Sequence, residues 1–563
     1  MTKATPAAAM AAIALAASCA HQPHTPTAAE ACARMTLAIP AERIGLPTHG
    51  AVIESATFVA ASPLSILPKP PFSPTPPEIA VVPAQPEYCR VIGAIMPVDP
   101  LAPPIRFQVN MPTDWQGRSL QFGGGGFNGT LITGLALPPS PRPDLASPLA
   151  RGFVTAGTDS GHQNAPGVPL QAFALNDEAL VNFAHAAYKK VRDVSVDLME
   201  RRYGRKPAKL YFMGSSEGGR EGITMAQRYP ADFDGIFSRV PVINWAALQA
   251  AGTRAGAAQF DGGWLGPRQV QLVHDAVLSA CDARDGAMDG VISDYIGCRT
   301  AFDVQALRCP SGAPGGGCLS DAQVKAVQAL HSPYTFSFPL ANGVRAYPGW
   351  GRGGEAAKGG GPVGGWESWQ TGTAPPTLPP GPASSRAWLY GSGAVQYFFA
   401  KDGDLDPRKF VPEAHAARIR EISELMDSTN PNLLAFAARG GKLIINDHFA
   451  DYAKSPYASA EYYRSVVAEV GQPATDLFLR LYATPGADHM GIGAPSGVDM
   501  LGVLVDWVEQ GRAPGALVQV TQKLEPPFPV VAARPMCRYP EYPHFTGGDR
   551  ALAASYECRA SKP

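Results

Sequence analysis

Leu210-Tyr-Phe-Met-Gly214-Ser-Ser216-Glu-Gly218-Gly219-Arg220 decides the fold. Tyr211 to Met213 have the apolar, partly aromatic character of a buried strand end. The pattern Gly-x-Ser-x-Gly follows, and then a helix carrying Ala226 to Tyr229, which stops before Pro230. Glycines at 214, 218 and 219 remove side chains where the backbone must turn sharply and where a helix must lie close to a sheet. This strand–turn–helix context makes the motif a nucleophile elbow. The Ser216 hydroxyl stands above the sheet edge, over a helix N-terminus that favours negative charge. A plain strand–helix turn with serine as N-cap has the same local pattern. The elbow reading therefore needs an acid, a histidine and an oxyanion loop in the right chain order.

Downstream, Gly440-Gly-Lys-Leu-Ile-Ile-Asn446-Asp447-His448-Phe449-Ala450-Asp451 reads as a buried strand at 443–445 followed by a loop. Asp451 is the expected triad acid, with Asp447 as its rival. Residues 477–483 form the next strand, and Pro485-Gly-Ala-Asp488-His489-Met490-Gly491 is the loop after it. Of the eleven histidines, only His448 and His489 follow a strand downstream of Ser216, and only His489 comes after the acid. The order Ser216, Asp451, His489 is that of α/β-hydrolases. His489 would take the Ser216 proton and return one to the leaving alcohol, with Asp451 fixing the imidazole tautomer.

Upstream, a strand ending at Phe122 runs into Gly123-Gly-Gly-Gly126-Phe-Asn-Gly129. No Lys-Ser/Thr pair follows, so a phosphate loop is excluded. Four glycines let backbone amides approach a substrate carbonyl. The Gly125 amide, with Gly126 beside it, and the Glu217 amide are the expected oxyanion donors. Asp159 and His162, in Thr158-Asp-Ser-Gly-His162, end another strand. His162 precedes Ser216, out of order for a base, and reads as a structural histidine near the site. A long amphipathic helix is expected over 179–203. Strand–helix alternation up to Pro241 means a mostly parallel sheet.

The chain has 563 residues, 45% hydrophobic and 17% charged, with a formal net charge of −1. That length accommodates one large domain with an insertion, or two domains. The charge balance argues against a nucleic-acid partner. Residues 1–20 read as a signal peptide: Lys3, an apolar run at 7–17 too short to span a bilayer, and small residues before Ala20. Ala16-Ala-Ser-Cys19 also resembles a bacterial lipoprotein signal, which would tether the chain through Cys19. The expected location is therefore secreted or periplasmic, with or without that anchor. The expected parts are a first hydrolase segment (30–244), an inserted lid (245–435) and a second hydrolase segment (436–563). The Pro-rich stretch 63–86 reads as an extended surface crossing.

Cys19 aside, eight cysteines remain, an even number suited to an oxidising compartment. Proximity pairs Cys281 with Cys298, Cys309 with Cys318 and Cys537 with Cys558, leaving Cys32 for Cys89. Inside the insertion, Cys281-Asp282-Ala-Arg-Asp285-Gly-Ala287-Met-Asp289-Gly-Val291-Ile-Ser-Asp294 interleaves aspartates with glycines. Such a loop either wraps a hard cation or is a solvated acidic turn. Asp282, Asp285 and Asp289 would give carboxylates to calcium, and Ala287 and Val291 carbonyls. Trp366, Trp369, Trp388, Tyr390, Tyr397, Phe398 and Phe399 follow. Most aromatics are core, but Trp366, Trp369, Trp388 and Phe398 are candidates to stack on an aromatic acyl group. Arg386 could meet an acidic substituent but is not counted among the candidates.

Taken together, the segments 120–129, 158–162, 214–220, 232–235, 281–291, 440–451 and 486–491 resemble the tannase and feruloyl esterase family, which includes a terephthalate monoester hydrolase. The resemblance implies an α/β-hydrolase core with a lid, calcium at the five residues named, and the four disulfides above. It also implies a secreted serine esterase acting on hydroxycinnamate, gallate or terephthalate monoesters through an acyl-enzyme. The alternatives are an esterase for other small esters, or a catalytically idle polyphenol- or carbohydrate-binding protein. One departure stands out. The family carries a cysteine before the nucleophile and another after the histidine, and here these positions are Ser215 and Met490. The triad loops are then expected to be held by packing.

Overall fold

A computed structural model describes residues 1–4, 27–68, 79–310, 317–357 and 364–561. Cys19 and most of the expected signal peptide lie outside these residues, as does part of the Pro-rich stretch. Among the described residues no helix is long and apolar enough to cross a membrane.

One eleven-stranded sheet organises the chain. Its strands are β1 (Ala51–Val59), β2 (Tyr88–Ile95), β3 (Ile105–Pro112), β4 (Arg118–Phe122), β5 (Phe153–Thr158), β6 (Lys209–Ser215), β7 (Gly235–Arg239), β8 (Lys442–His448), β9 (Leu479–Thr484), β10 (Leu517–Gln522) and β11 (Val530–Arg538). The spatial order is β1-β2-β3-β5-β4-β6-β7-β8-β9-β11-β10. From β5 to β9 all neighbours are parallel, and antiparallel strands extend both edges. The central strands β5, β7, β8 and β9 are buried nearly throughout and β6 over its middle, the mark of a parallel sheet covered on both faces. This is the α/β-hydrolase arrangement expected from the sequence.

Helices α1 (Ala187–Tyr203) and α2 (Glu217–Arg228) cover the sheet around the elbow. The helix expected over 179–203 is present, interrupted by a π-helical turn at Asn182–Ala186. The Pro-rich region contributes a small hairpin, Ser65–Pro68 with Ile79–Val82. All four expected disulfides form: Cys32–Cys89, Cys281–Cys298, Cys309–Cys318 and Cys537–Cys558.

After Arg239 the chain leaves the sheet and returns at Lys442 as the parallel neighbour of β7. The described residues of 240–441 include about half in helices, and the segment packs on a cluster that includes Trp245, Trp350, Trp366 and Phe398. The sheet crevice at the carboxyl ends of β4, β6, β8 and β9 therefore faces this segment, as open α/β sheets place their sites.

Candidate active site

Ser216 sits at φ 59°, ψ −120°, between β6 and α2. A non-glycine residue in that region is held against about 1–3 kcal/mol of backbone strain. The turn is possible because Gly214 and Gly218 lack side chains. A Cβ on Gly214 would lie 2.2 Å from the Gly218 carbonyl oxygen, and one on Gly218 would lie 2.6 Å from that of Gly124. Elbow and glycine loop are thus in backbone contact. The Ser216 amide donates to the Arg239 carbonyl (3.0 Å), which ties the elbow to the end of β7.

His489 Nε2 lies 3.0 Å from Ser216 Oγ, and its Nδ1 lies 2.7 Å from Asp451 Oδ2. Asp451 Oδ1 accepts the backbone amides of Ala453 (2.7 Å) and Lys454 (3.1 Å). Burial alone would raise the Asp451 carboxyl, but the His489 charge and these hydrogen bonds hold it below the usual carboxylate range. The three residues that sequence order put together are brought together, and the hydrogen bonds run in one line from acid to hydroxyl.

Asp447 is otherwise engaged. Both its oxygens meet the Lys454 ammonium in a buried ion pair, and burial pushes its carboxyl up to about 6. His448 is fully buried, its Nδ1 2.6 Å from the Asp488 carbonyl, and burial lowers its imidazole to about 3. It props the His489 loop from behind. His162 stacks on Phe173 at 3.6 Å, and burial lowers it to about 4. It is a structural histidine.

The glycine loop departs from expectation in one detail. The Gly125 amide, expected to face a substrate oxygen, donates to Asn128 Oδ1 at 2.5 Å. Asn128 is in turn fixed by Glu221 Oε1 (2.7 Å) and the Tyr188 hydroxyl (2.5 Å), while Glu221 Oε2 accepts the Gly124 amide (2.9 Å). Among the described residues the amides of Gly126 and Glu217 have no acceptor. Those two are the donors left to meet an oxyanion. Beneath them, the buried Glu217 carboxylate pairs with the buried Arg220 guanidinium (2.6 Å), and burial pushes Glu217 up to about 8.

Of the four aromatic candidates, Trp369 alone stands beside His489, with its ring centroid 5.8 Å from that of His489. Trp366, Trp388 and Phe398 are at most 1% exposed. Trp366 packs on His331, Trp388 on Phe260, and Phe398 on Trp245. Their expected substrate contact is corrected: all three are buried, and Phe398 also packs on Phe127 beside the glycine run and on Phe173 and Phe183. Tyr452, which the sequence did not single out, lies 6.4 Å from the His489 ring, and Tyr390, from the aromatic run, lies near Gly126. The Tyr390 hydroxyl would be 3.0 Å from a Cβ on Gly126. Arg386 lies over the Trp369 ring at 5.6 Å.

The aspartate loop turns its carboxylates inward. Asp282 accepts the Asp289 and Gly290 amides, and Asp285 accepts those of Ala287 and Ser293. Asp289 pairs with Arg534 at 2.6 Å. Burial, with help from the Asp289 charge, pushes Asp285 up to about 6, as expected of a carboxyl short of a counter-charge. Hard oxygen donors around such a group fit calcium in kind. Among the described residues, no three acidic, histidine or cysteine side chains converge on one point, so carbonyls would have to complete the set.

A family model described as "Tannase and feruloyl esterase" matches residues 89–559. The chain belongs to the tannase and feruloyl esterase family. It is 36% identical over 543 residues to an uncharacterized esterase of Agrobacterium fabrum, covering 92% of this chain and 91% of that protein. It is 32% identical over 535 residues to the mono(2-hydroxyethyl) terephthalate hydrolase of Piscinibacter sakaiensis, covering 86% and 87%. Among solved structures, feruloyl esterase B from Aspergillus oryzae matches with a TM-score of 0.75 at 24% identity, over 95% of this chain and all of that one. This last likeness supports the fold alone. As a member of the tannase and feruloyl esterase family, the chain is a carboxylic ester hydrolase.

Proposed function

We propose that Ser216, His489 and Asp451 are the catalytic triad of an exported serine esterase that cleaves esters of aromatic acids through an acyl-enzyme. The observation that carries this reading is the unbroken contact from Asp451 Oδ2 through both His489 nitrogens to Ser216 Oγ on a strained elbow. As Ser216 Oγ attacks the ester carbonyl, its proton passes to His489 Nε2. The Gly126 and Glu217 amides receive the oxyanion. When the tetrahedral intermediate collapses, Nε2 protonates the departing alkoxide and the alcohol leaves. Water, deprotonated by the same nitrogen, then attacks the acyl-serine and releases the acid.

The aromatic acyl group is supported by Trp369, Tyr390 and Tyr452 around the base, with Arg386 behind Trp369, and by the aromatic esters for which its relatives are named. Residues 240–441 act as the lid over this site. Calcium would be held by Asp282, Asp285 and Asp289 with the Ala287 and Val291 carbonyls, giving the loop the positive charge that Asp285 lacks. Export is supported by the four disulfides and the N-terminal residues. Lipidation at Cys19 is the variant of that reading to be tested by mass spectrometry of the mature N-terminus.

The deciding experiment is hydrolysis of methyl ferulate, methyl gallate, mono(2-hydroxyethyl) terephthalate and a short p-nitrophenyl ester by the wild type and Ser216→Ala. One aromatic ester turned over well, with the variant inert, is the expected result. Reaction with the activated ester alone overturns the substrate class. A fully active Ser216→Ala overturns the mechanism.

A further inference from the structure

Arg239 ends β7 and pairs in parallel register with Ser215 on one side and Asn446 on the other. It lies between the two segments that must meet for proton transfer. Its carbonyl accepts the Ser216 amide, and its Nε donates to Ser215 Oγ at 2.8 Å. Its Nη2 donates to the His489 carbonyl at 3.2 Å, and its Nη1 to that of Met490 at a longer 3.5 Å. One side chain thus touches the residue before the nucleophile, the base itself and the residue after the base. Neighbouring residues are shaped around it. Gly491 runs at φ +87°, and a Cβ there would lie 3.1 Å from Nη1.

This is a costly way to fill space. Arg239 is 7% exposed, and among the described residues no carboxylate forms an ion pair with it. Its hydrogen bonds go to a hydroxyl and two carbonyl oxygens, and the Asp488 and Asp451 carboxylates, without pairing directly, favour its charge. Burying a guanidinium that way costs more than burying an apolar side chain of the same volume. What the arrangement provides is a planar fork of fixed geometry, able to bridge two loops that share no covalent link.

We propose that Arg239 is a positioning residue that sets the reach of His489 to Ser216 by clamping the base loop to the nucleophile elbow. This inference rests on the triad reading above. It also replaces the expectation that packing alone holds these loops, because a directional side chain spans the Ser215 and Met490 positions.

The test uses the full-length protein and the aromatic ester it hydrolyses best. Arg239→Gln keeps a polar group but loses the fork. A displacement of the base by about 1 Å is enough for a loss of about 10²-fold. The expected result is a kcat lowered at least 30-fold, a KM within about threefold of wild type, and an unchanged near-UV circular dichroism spectrum. The second variant adds Ser215→Cys and Met490→Cys to Arg239→Gln, tying the same segments covalently. With bridge formation verified by thiol titration and mass, kcat is expected to recover to within about tenfold of wild type. A kcat for Arg239→Gln within threefold of wild type overturns the proposal. So does a loss that the formed bridge fails to repair, since that assigns Arg239 another role. If the Gln variant is not recovered folded, Arg239→Lys is read by the same kcat-against-KM split and the same bridge. A wild type inert on every ester refutes the triad reading, whereas an active wild type with a fully active Arg239 variant refutes this inference alone.

Discussion

Replacing Asp451 by asparagine exchanges one oxygen for an amide, and the surroundings dictate which one. Asp451 Oδ1 accepts two backbone amides, from Ala453 and Lys454, whereas Oδ2 accepts only His489 Nδ1. An asparagine keeps its carbonyl oxygen at the first site, because an NH2 there would face two N–H donors. Its NH2 must then point at His489 Nδ1. That nitrogen becomes an acceptor, Nε2 carries the proton, and no lone pair is left for the Ser216 hydroxyl. The geometry is preserved and the tautomer is wrong, a fault that lowers kcat by about 10³–10⁴-fold, or about 4–5.5 kcal/mol of transition-state stabilisation. Asp447→Asn is the control. It strands the buried Lys454 ammonium, so it is expected to cost about 3–5 kcal/mol of stability and leave the kcat of the folded fraction near wild type. Steady-state kinetics on the best aromatic ester, with thermal melts of both variants, separate the two. An Asp451→Asn enzyme within tenfold of wild type, beside an inert but folded Asp447→Asn, would refute the assignment of the acid.

Three further outcomes are expected. Gly124→Ala places a Cβ 2.2 Å from Asn128 Oδ1, so Asn128 must move and release the Gly125 amide. The displaced loop is expected to lower kcat by about 10²-fold, the scale of losing one oxyanion donor, with fluorophosphonate labelling of Ser216 slowed in parallel; normal kinetics would mean the loop is not the donor platform. Asp159 is buried, and burial lifts its carboxyl to about 6 from the ordinary 3.8. The folded state then binds more protons than the unfolded one between about pH 4 and 6, so this group lowers stability as pH rises through that window, to a deficit of about 3 kcal/mol above it. Asp159→Asn is expected to stabilise the protein at pH 7 but not at pH 4, read by denaturant midpoints; an equal change at both refutes the burial argument. Chelation with EGTA is expected to lower the melting temperature, with calcium restoring it in the wild type but not in Asp282→Ala. A chelator-insensitive melt would remove the metal from the aspartate loop.

The parts legible in the sequence were those written in neighbouring residues. The elbow, the glycine run, the loops bearing Asp451 and His489, and three of the disulfides announce themselves within a few positions, because a turn or a short ring constrains its own residues. Arg239 did not, because Ile236-Phe-Ser-Arg239 reads as an ordinary strand end and its partners lie 24 and 250 positions away. The aromatics misled for a related reason. Trp366, Trp369 and Trp388 look alike in composition, and only packing separates the one beside the base from the two inside the core. The engagement of the Gly125 amide had a faint signal, an asparagine three residues on, whose side chain is able to accept from a nearby backbone amide.

The path of the chain through the sheet also fixes when Ser216 and His489 meet. The serine strand and its parallel neighbours form from the first half of the polypeptide, whereas the histidine arrives 273 residues after the serine, once the inserted segment has been laid down and the sheet resumed. Contacts at that sequence separation are slow to close. Until the last third of the chain docks, Ser216 has no His489 beside it. On the proposed triad, a chain that ends before the loop bearing His489 has no base for Ser216 and is expected to be silent toward esters.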